Sequence, residues 1–294
     1  IQEYIRNGDT YQINHTYRIH GSTYGSSLAL YQRLRERQPG RFGAYIDHDH
    51  RQLLSQSPEL FISREGDTLK AMPMKGTASA LSENASILST DPKNQAENVM
   101  IVDLIRNDLS RVAQPFSVKV PRLFHLEALP TVWQMTSDVV ATTREGTRLW
   151  DVFAALFPCG SITGAPKIRA MEIIDELEPV KRGVYAGSVG YLGFSGDMDL
   201  AIAIRTAVIK DGILNVQAGA GIVADSNPDA EWQETQNKAR AVIRAAELAE
   251  AGLVPEFIQN FTAEEVAKIL EVLAKPGPER TAQKLALNAL HRRP

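Results

Sequence analysis

Cysteine is almost absent from this sequence: Cys159 stands alone among 294 residues. A single thiol excludes an internal disulfide and a metal site built from thiolates, and it suits a reducing compartment. No stretch approaches the roughly 18 consecutive apolar residues that a membrane-spanning helix needs. The first residues also lack the charged and apolar regions of a secretion signal. The expectation is a cytoplasmic chain that meets no membrane. An excess of either charge is lacking too. Lys and Arg number 32 against 35 Asp and Glu, a net charge of −3, which gives no broad footprint for nucleic acid or an anionic bilayer. An initiator methionine is missing: the first residue is Ile1, so the chain is expected to begin inside a longer natural sequence.

What is present alternates between strand and helix signals. Polar and apolar residues alternate over 10–19, the period of a half-buried strand. Leu28, Tyr31 and Leu34 recur at helical spacing within 26–37, and Gln38-Pro39-Gly40 stops them. Short strands are predicted within 41–64, then over 68–72, near Val118 and Val120, and over 133–142. Asp91-Pro92 opens a helix striped by Val99, Ile101, Val102, Leu104 and Ile105. Further helices are predicted over 150–157, over 167–177, and from Asn227-Pro228 to about Ala251, with proline harmless in a first turn. Strand-forming stretches over 184–194, 199–209 and 213–218 lie between them. Neighbouring strands joined by short turns argue for antiparallel sheets. Helices interrupt them without a βαβ rhythm, so the class is α+β. Beyond Gly252 the pattern changes to short amphipathic helices around Lys275-Pro276-Gly277-Pro278. The predicted organisation is a catalytic domain over 1–253 and a helical tail over 254–294.

Candidate chemistry sits in several of these segments. Glu231, Glu234 and Lys238 are three and four residues apart and share one helix face. Two carboxylates a turn apart suit a hard cation, and the lysine suits an anionic ligand; the plainer reading is a solvated face with a Glu–Lys pair. Glu97 stands early in an apolar helix, where the dipole favours a carboxylate. Gly219, Ala220, Gly221, Ile222 and Val223 fit a dinucleotide fingerprint loosely, but Asp225-Ser226-Asn227-Pro228 continues as loop where a helix should open. Glycines at a strand end would instead bring backbone N–H groups up to a carboxylate. Gly160 to Gly164 lacks the ending of a phosphate loop, yet leads into a helix whose first N–H groups can meet an anion. Asp47-His48-Asp49-His50 falls at a hairpin turn, with alternate residues on opposite faces, and is not read as a metal site. Cys159 has no base arranged beside it in sequence and is read as inert.

Together these segments resemble the chorismate-utilising enzymes, a family that includes anthranilate, aminodeoxychorismate, isochorismate and salicylate synthases. The resemblance is carried in order by Gly8-Asp9-Thr10-Tyr11-Gln12, Ser57-Pro58-Glu59, Pro73-Met74-Lys75-Gly76-Thr77 and the stretch from Ala96 to Leu104. It continues through Gly160 to Lys167, Ile204-Arg205-Thr206, Ala218 to Val223 and Glu231 to Lys238. It implies two antiparallel sheets packed as a sandwich with helices outside, with the N-terminal part of that fold absent. It further implies Mg²⁺ held by Glu97 and Glu234, with Glu231 close by, and chorismate as substrate. Tyr185, Arg205, Lys238 and the backbone of Gly219, Ala220 and Gly221 would meet the substrate carboxylates. Gln12, Thr77, Thr163 and Gly164 would line the same pocket.

Two positions separate the branches of the family. Gln12 stands where isochorismate and salicylate synthases carry a lysine that activates water, so water addition is disfavoured. Lys75 stands where anthranilate synthases usually have a small residue. The resemblance therefore points to amination of chorismate at C4, with Lys75 as covalent nucleophile and Glu59 as the acid for the departing hydroxyl. Ammonia would come from a glutamine amidotransferase subunit, and the product would serve p-aminobenzoate and folate synthesis. Formation of anthranilate, or binding of chorismate without turnover, are the alternatives. Gln134 stands where many members have a histidine; it can still hydrogen-bond but cannot carry a proton charge.

Overall fold

Every strand ladder among the described residues is antiparallel, and the ladders assemble into two sheets. The structure is a computed structural model that describes residues 1–251 except 24, 38, 80–85, 130 and 131. The chain opens with α1 (Gln2–Arg6), β1 (Gln12–Ser22) and α2 (Ser27–Arg37). Five strands follow: β2 (Phe42–His48), β3 (Arg51–Ser57), β4 (Leu60–Glu65), β5 (Thr68–Met72) and β6 (Met74–Ser79). Next come α3 (Ile87–Thr90), α4 (Pro92–Ser110), β7 (Lys119–Ala128), β8 (Val132–Thr142) and α5 (Leu149–Leu156). A 3₁₀ turn at Gly160–Ile162 precedes β9 (Gly164–Ala165) and α6 (Lys167–Leu177). The described part ends with β10 (Ser188–Leu192), β11 (Met198–Ile202), β12 (Thr206–Lys210), β13 (Ile213–Ile222) and α7 (Pro228–Ala251).

The first sheet runs β2-β3-β12-β13-β1-β9; the second runs β10-β11-β4-β5-β8-β6, with β7 also on β8. The chain therefore changes sheet twice through very short connections. Pro58 and Glu59 link β3 to β4, and residues 203–205 link β11 to β12. Backbone bonds tie the two crossings together: the Gln56 N–H donates to Arg205 O (3.1 Å) and the Ile202 N–H to Glu59 O (3.1 Å). This seam carries the site described below.

Packing follows the binary pattern. In α4, Ile101, Ile105 and Leu109 are buried against Ile62, Leu69 and Val139 of the second sheet, while Asp103 and Arg106 pair in solvent. Asp91 caps this helix by accepting from the Asn94 N–H at 2.8 Å, and Pro92 takes the first turn. Leu30 and Leu34 of α2 cover Leu54, Ala207 and Val216 of the first sheet. α6 lays Ala170 and Ile173 on Ile13. The sheets meet where Val189 and Ala201 pack against Phe42, Ala44 and Leu53. Each fully buried Ile or Leu contributes about 2 kcal/mol of transfer free energy, so these clusters hold the sandwich that the resemblance implied.

Three sequence readings change. The first strand covers 12–22 rather than 10–19. The stretch read as one over 199–209 is two strands in different sheets, broken where Arg205 takes φ 48°. Gly219 to Ile222 do not follow the strand read over 213–218 but are the last four residues of β13, paired with β1. The predicted tail over 254–294, with its boundary at 253, lies outside the described residues. Among those described, no helix is long and apolar enough to cross a membrane.

Candidate active site

The site begins on β1. Gln12 is fully buried, and neither atom of its side-chain amide has a hydrogen-bond partner. Orphaned buried amides are costly, so such a pair points into a polar ligand space. Gly164, at φ 149°, presses against the same strand: a Cβ there would stand 2.0 Å from Gln12 O, so only glycine allows this approach. From the opposite side comes β13. A Cβ on Gly221 would lie 3.2 Å from Gln12 Nε2 and 3.5 Å from Lys75 Nζ. Gln12, Gly221 and Lys75 thus meet at one point. Past Val216, β12 no longer pairs with β13, which leaves that edge of Gly219 to Gly221 without a strand partner among the described residues.

Gly219 plays a different part. A Cβ there would fall 2.1 Å from His15 O and 2.6 Å from Thr16 Cγ2. Its lack of a side chain serves the close approach of β13 to β1.

Lys75, on β6, reaches across to α4, where its Nζ lies 3.5 Å from Glu97 Oε2. Glu234 in α7 pairs with Lys238 at 2.6 Å, the expected i,i+4 partnership, and Lys238 also donates to Gly219 O at 3.1 Å. Burial opposes ionisation of Glu234, but Lys238, Lys75 and Lys93 outweigh it and hold the carboxyl below its usual range. The charge of Lys75 therefore acts on both Glu97 and Glu234. Glu231 is engaged elsewhere: its Oε1 accepts from the Ser226 hydroxyl at 2.6 Å. Among the described residues, no three His, Cys, Asp or Glu side chains group as a ready-made metal cage.

Glu59 sits at the first sheet crossing, 4% exposed, with Oε1 unpartnered. Burial pushes its carboxyl up to about 7, against the pull of the Ser161 hydroxyl, Lys75, the Met74 backbone and Arg205. Arg205, at the second crossing, is lowered by its own burial, and Glu59 counteracts that shift. Here the fold sets a carboxyl that holds its proton near neutral pH beside an amine and a guanidinium. Tyr185 packs against the core, and burial raises its hydroxyl to about 12. The buried Thr163 hydroxyl is committed to the carbonyls of Cys159 (3.0 Å) and Gly160 (3.4 Å). Thr77 is exposed on β6 opposite Gln134 of β8, whose buried Nε2 has no partner. Burial, then Glu59, raises the Cys159 thiol to about 12, consistent with an inert cysteine.

Two pairs escaped the sequence reading. Arg182 binds Glu178, donates to Ile162 O and Asn14 O at 2.6 Å each, and so clamps the 3₁₀ turn to β1. Glu178 in turn accepts from the Thr16 N–H and hydroxyl, both at 2.8 Å. Lys167 pairs with Asp108 at 2.5 Å and donates to Leu156 O, tying α6 to α4 and α5. The only sequence signal for the first was an i,i+4 Glu–Arg spacing at a helix end, which is common on surfaces.

The geometry can be set beside known proteins. Residues 1–244 match a family described as chorismate binding enzyme. Anthranilate synthase component 1 of Neisseria gonorrhoeae is 46% identical over 260 residues, covering 86% of this chain and 53% of that protein. Aminodeoxychorismate synthase component 1 of Escherichia coli is 44% identical over 253 residues, covering 84% and 56%. The crystal structure of anthranilate synthase component I from Streptococcus pneumoniae matches with a TM-score of 0.77 at 40% identity, over 82% of this chain and 55% of that one. The chain spans about half the length of the curated relatives it matches.

Proposed function

The chain belongs to the chorismate binding enzyme family, and on that premise we propose that it aminates chorismate at C4, through a covalent bond to Lys75, to give 4-amino-4-deoxychorismate. The observation that carries this reading is the meeting of the Lys75 amine with the unpartnered Gln12 amide and Gly221, with buried Glu59 within electrostatic reach.

In the first half of the reaction Lys75, having given its ammonium proton to solvent, forms a bond from its neutral amine to ring C2, and the bonded nitrogen then sheds a proton. The two ring double bonds shift, the C4–O bond breaks, and Glu59 gives its proton to the departing hydroxyl, which leaves as water. In the second half ammonia attacks C4, the double bonds shift back, and the C2–N bond breaks as the departing lysine nitrogen takes up the proton shed by the incoming one, while Glu59 regains its proton from solvent. Glu59 is suited to its part because burial raises its carboxyl to about 7, so that a large share of it stays protonated near neutral pH. Gln12 orients the ring but has no basic group with which to activate water. Arg205, Tyr185, Lys238 and the Gly219–Gly221 backbone receive the substrate carboxylates, with Thr163, Gly164 and Thr77 lining the pocket.

Glu97 and Glu234 fit Mg²⁺, which binds through one or two carboxylates and keeps several waters; Glu231 would reach it through one of those waters. Bound there, the ion supplies charge that neutralises the ring carboxylate of chorismate. A glutamine amidotransferase subunit supplies ammonia on this reading, supported by the words "component 1" in the relatives' names. The setting is cytoplasmic, on the route to p-aminobenzoate and folate.

Formation of anthranilate is the second reading, favoured by a first relative that carries that name at similar identity. Incubation with chorismate, Mg²⁺ and an ammonium salt separates the two. Chromatography should find 4-amino-4-deoxychorismate; anthranilate with pyruvate would transfer the chain to the other branch. Quenching of intrinsic fluorescence by chorismate with no product would mark a binding fragment.

A further inference from the structure

We infer that Lys75 is the stand-in cation of the acidic pocket, and that its ammonium and a divalent metal ion are alternative partners of Glu97. The inference rests on the reading that Glu97 and Glu234 bind such an ion. Glu97 and Lys75 are both sheltered, with side chains 22% and 17% exposed, and they lie 3.5 Å apart. A carboxylate withdrawn from water needs a partner, and Lys75 supplies it. Glu234, by contrast, is 57% exposed and pairs with Lys238 at 2.6 Å. Each of the two carboxylates thus has a lysine of its own.

A divalent ion on Glu97 changes that balance. Two cations against one carboxylate at this distance repel, so the ion's arrival removes the reason for Lys75 to stay. The same Nζ already lies 3.5 Å from the point where a Gly221 Cβ would stand, beside the Gln12 amide. A small rotation of the four-carbon stem carries the amine from the acidic wall toward the polar spot bordered by the Gln12 amide and Gly221. Lys75 would then face the Gln12 amide and Gly221, where loss of its proton to solvent would leave the amine free to react. The exchange would also make Lys75 an antagonist of the ion it works beside.

Titration of the full chain with Mn²⁺, following the free ion by electron paramagnetic resonance, tests this without reference to turnover. Lys75→Met removes the competing charge and should bind Mn²⁺ about tenfold more tightly than the unsubstituted chain, or tighter still. Lys75→Arg keeps the charge and should stay near the unsubstituted affinity. Lys93→Met is the control, because Lys93 acts on Glu234 from a distance; it should tighten binding by less than about threefold. Unchanged affinity in Lys75→Met overturns the exchange, as does equal tightening in Lys93→Met. If none of the four chains binds Mn²⁺, the metal reading itself fails, and the exchange with it.

Discussion

Gln12 Nε2 lies 3.2 Å from the point at which a Cβ on Gly221 would stand, whereas the same test at Gly219 meets His15 O at 2.1 Å. Two glycines separated by one residue on β13 thus do different work. Gly221 faces the ends of flexible side chains, so Gly221→Ala should fold normally but displace Gln12 and Lys75. A loss of tenfold or more in kcat/KM for chorismate is expected, about what misplacement of reacting groups costs. Gly219→Ala meets backbone and should force β1 from β13, costing about 3 kcal/mol. Thermal unfolding and steady-state kinetics on both variants check the contrast.

Glu59 makes a pH-dependent prediction. Its carboxyl is raised from 4.5 to about 7 by burial. A group raised in the fold contributes stability in full below its unfolded value and loses it as pH climbs through the folded value. The protein should therefore weaken between about pH 5 and pH 8, by about 3 kcal/mol for a shift of this size. Glu59→Gln should flatten that slope and be the more stable chain at pH 8, yet lose turnover. In the unsubstituted chain kcat/KM should fall above about pH 7 as the acid loses its proton.

The Arg182–Glu178 clamp is a stability element. The two side chains are 14% and 4% exposed and pair at 2.7 Å, and both reach strand β1. Arg182→Met leaves Glu178 buried without its cation and should cost about 3–5 kcal/mol. Arg182→Met with Glu178→Met should recover part of that loss, because no buried charge remains alone. Chemical denaturation of the two chains measures the difference.

Local features of this fold were readable from residues, and long-range ones were not. The segments 68–72 and 167–177 carry their own period and stop signals, and the strand and helix there have those bounds. The Glu234–Lys238 pair also followed from helix spacing alone. The split at Arg205 was hidden because Asp199 to Ile209 reads as one β-rich run; it takes a second sheet to pull Thr206 onto Ser55. Likewise, nothing near Lys75 in sequence says that it faces Glu97, 22 residues away, or Gly221 on a third element. Glu59 and Arg205 come within electrostatic reach because the β3–β4 and β11–β12 connections cross between sheets side by side. Nothing local shows that the missing side chain of Gly219 admits the neighbouring strand at His15 O.

Lys75 as covalent nucleophile remains the claim on which the rest depends. Its most direct test is mass spectrometry of the protein quenched after mixing with chorismate and Mg²⁺ in the absence of ammonia, followed by peptide mapping. The account predicts a mass gain equal to chorismate less one water on the peptide containing Lys75, discharged on adding ammonium and absent in Lys75→Ala. No adduct on that peptide, with ammonia-dependent amination intact in Lys75→Ala, would contradict it.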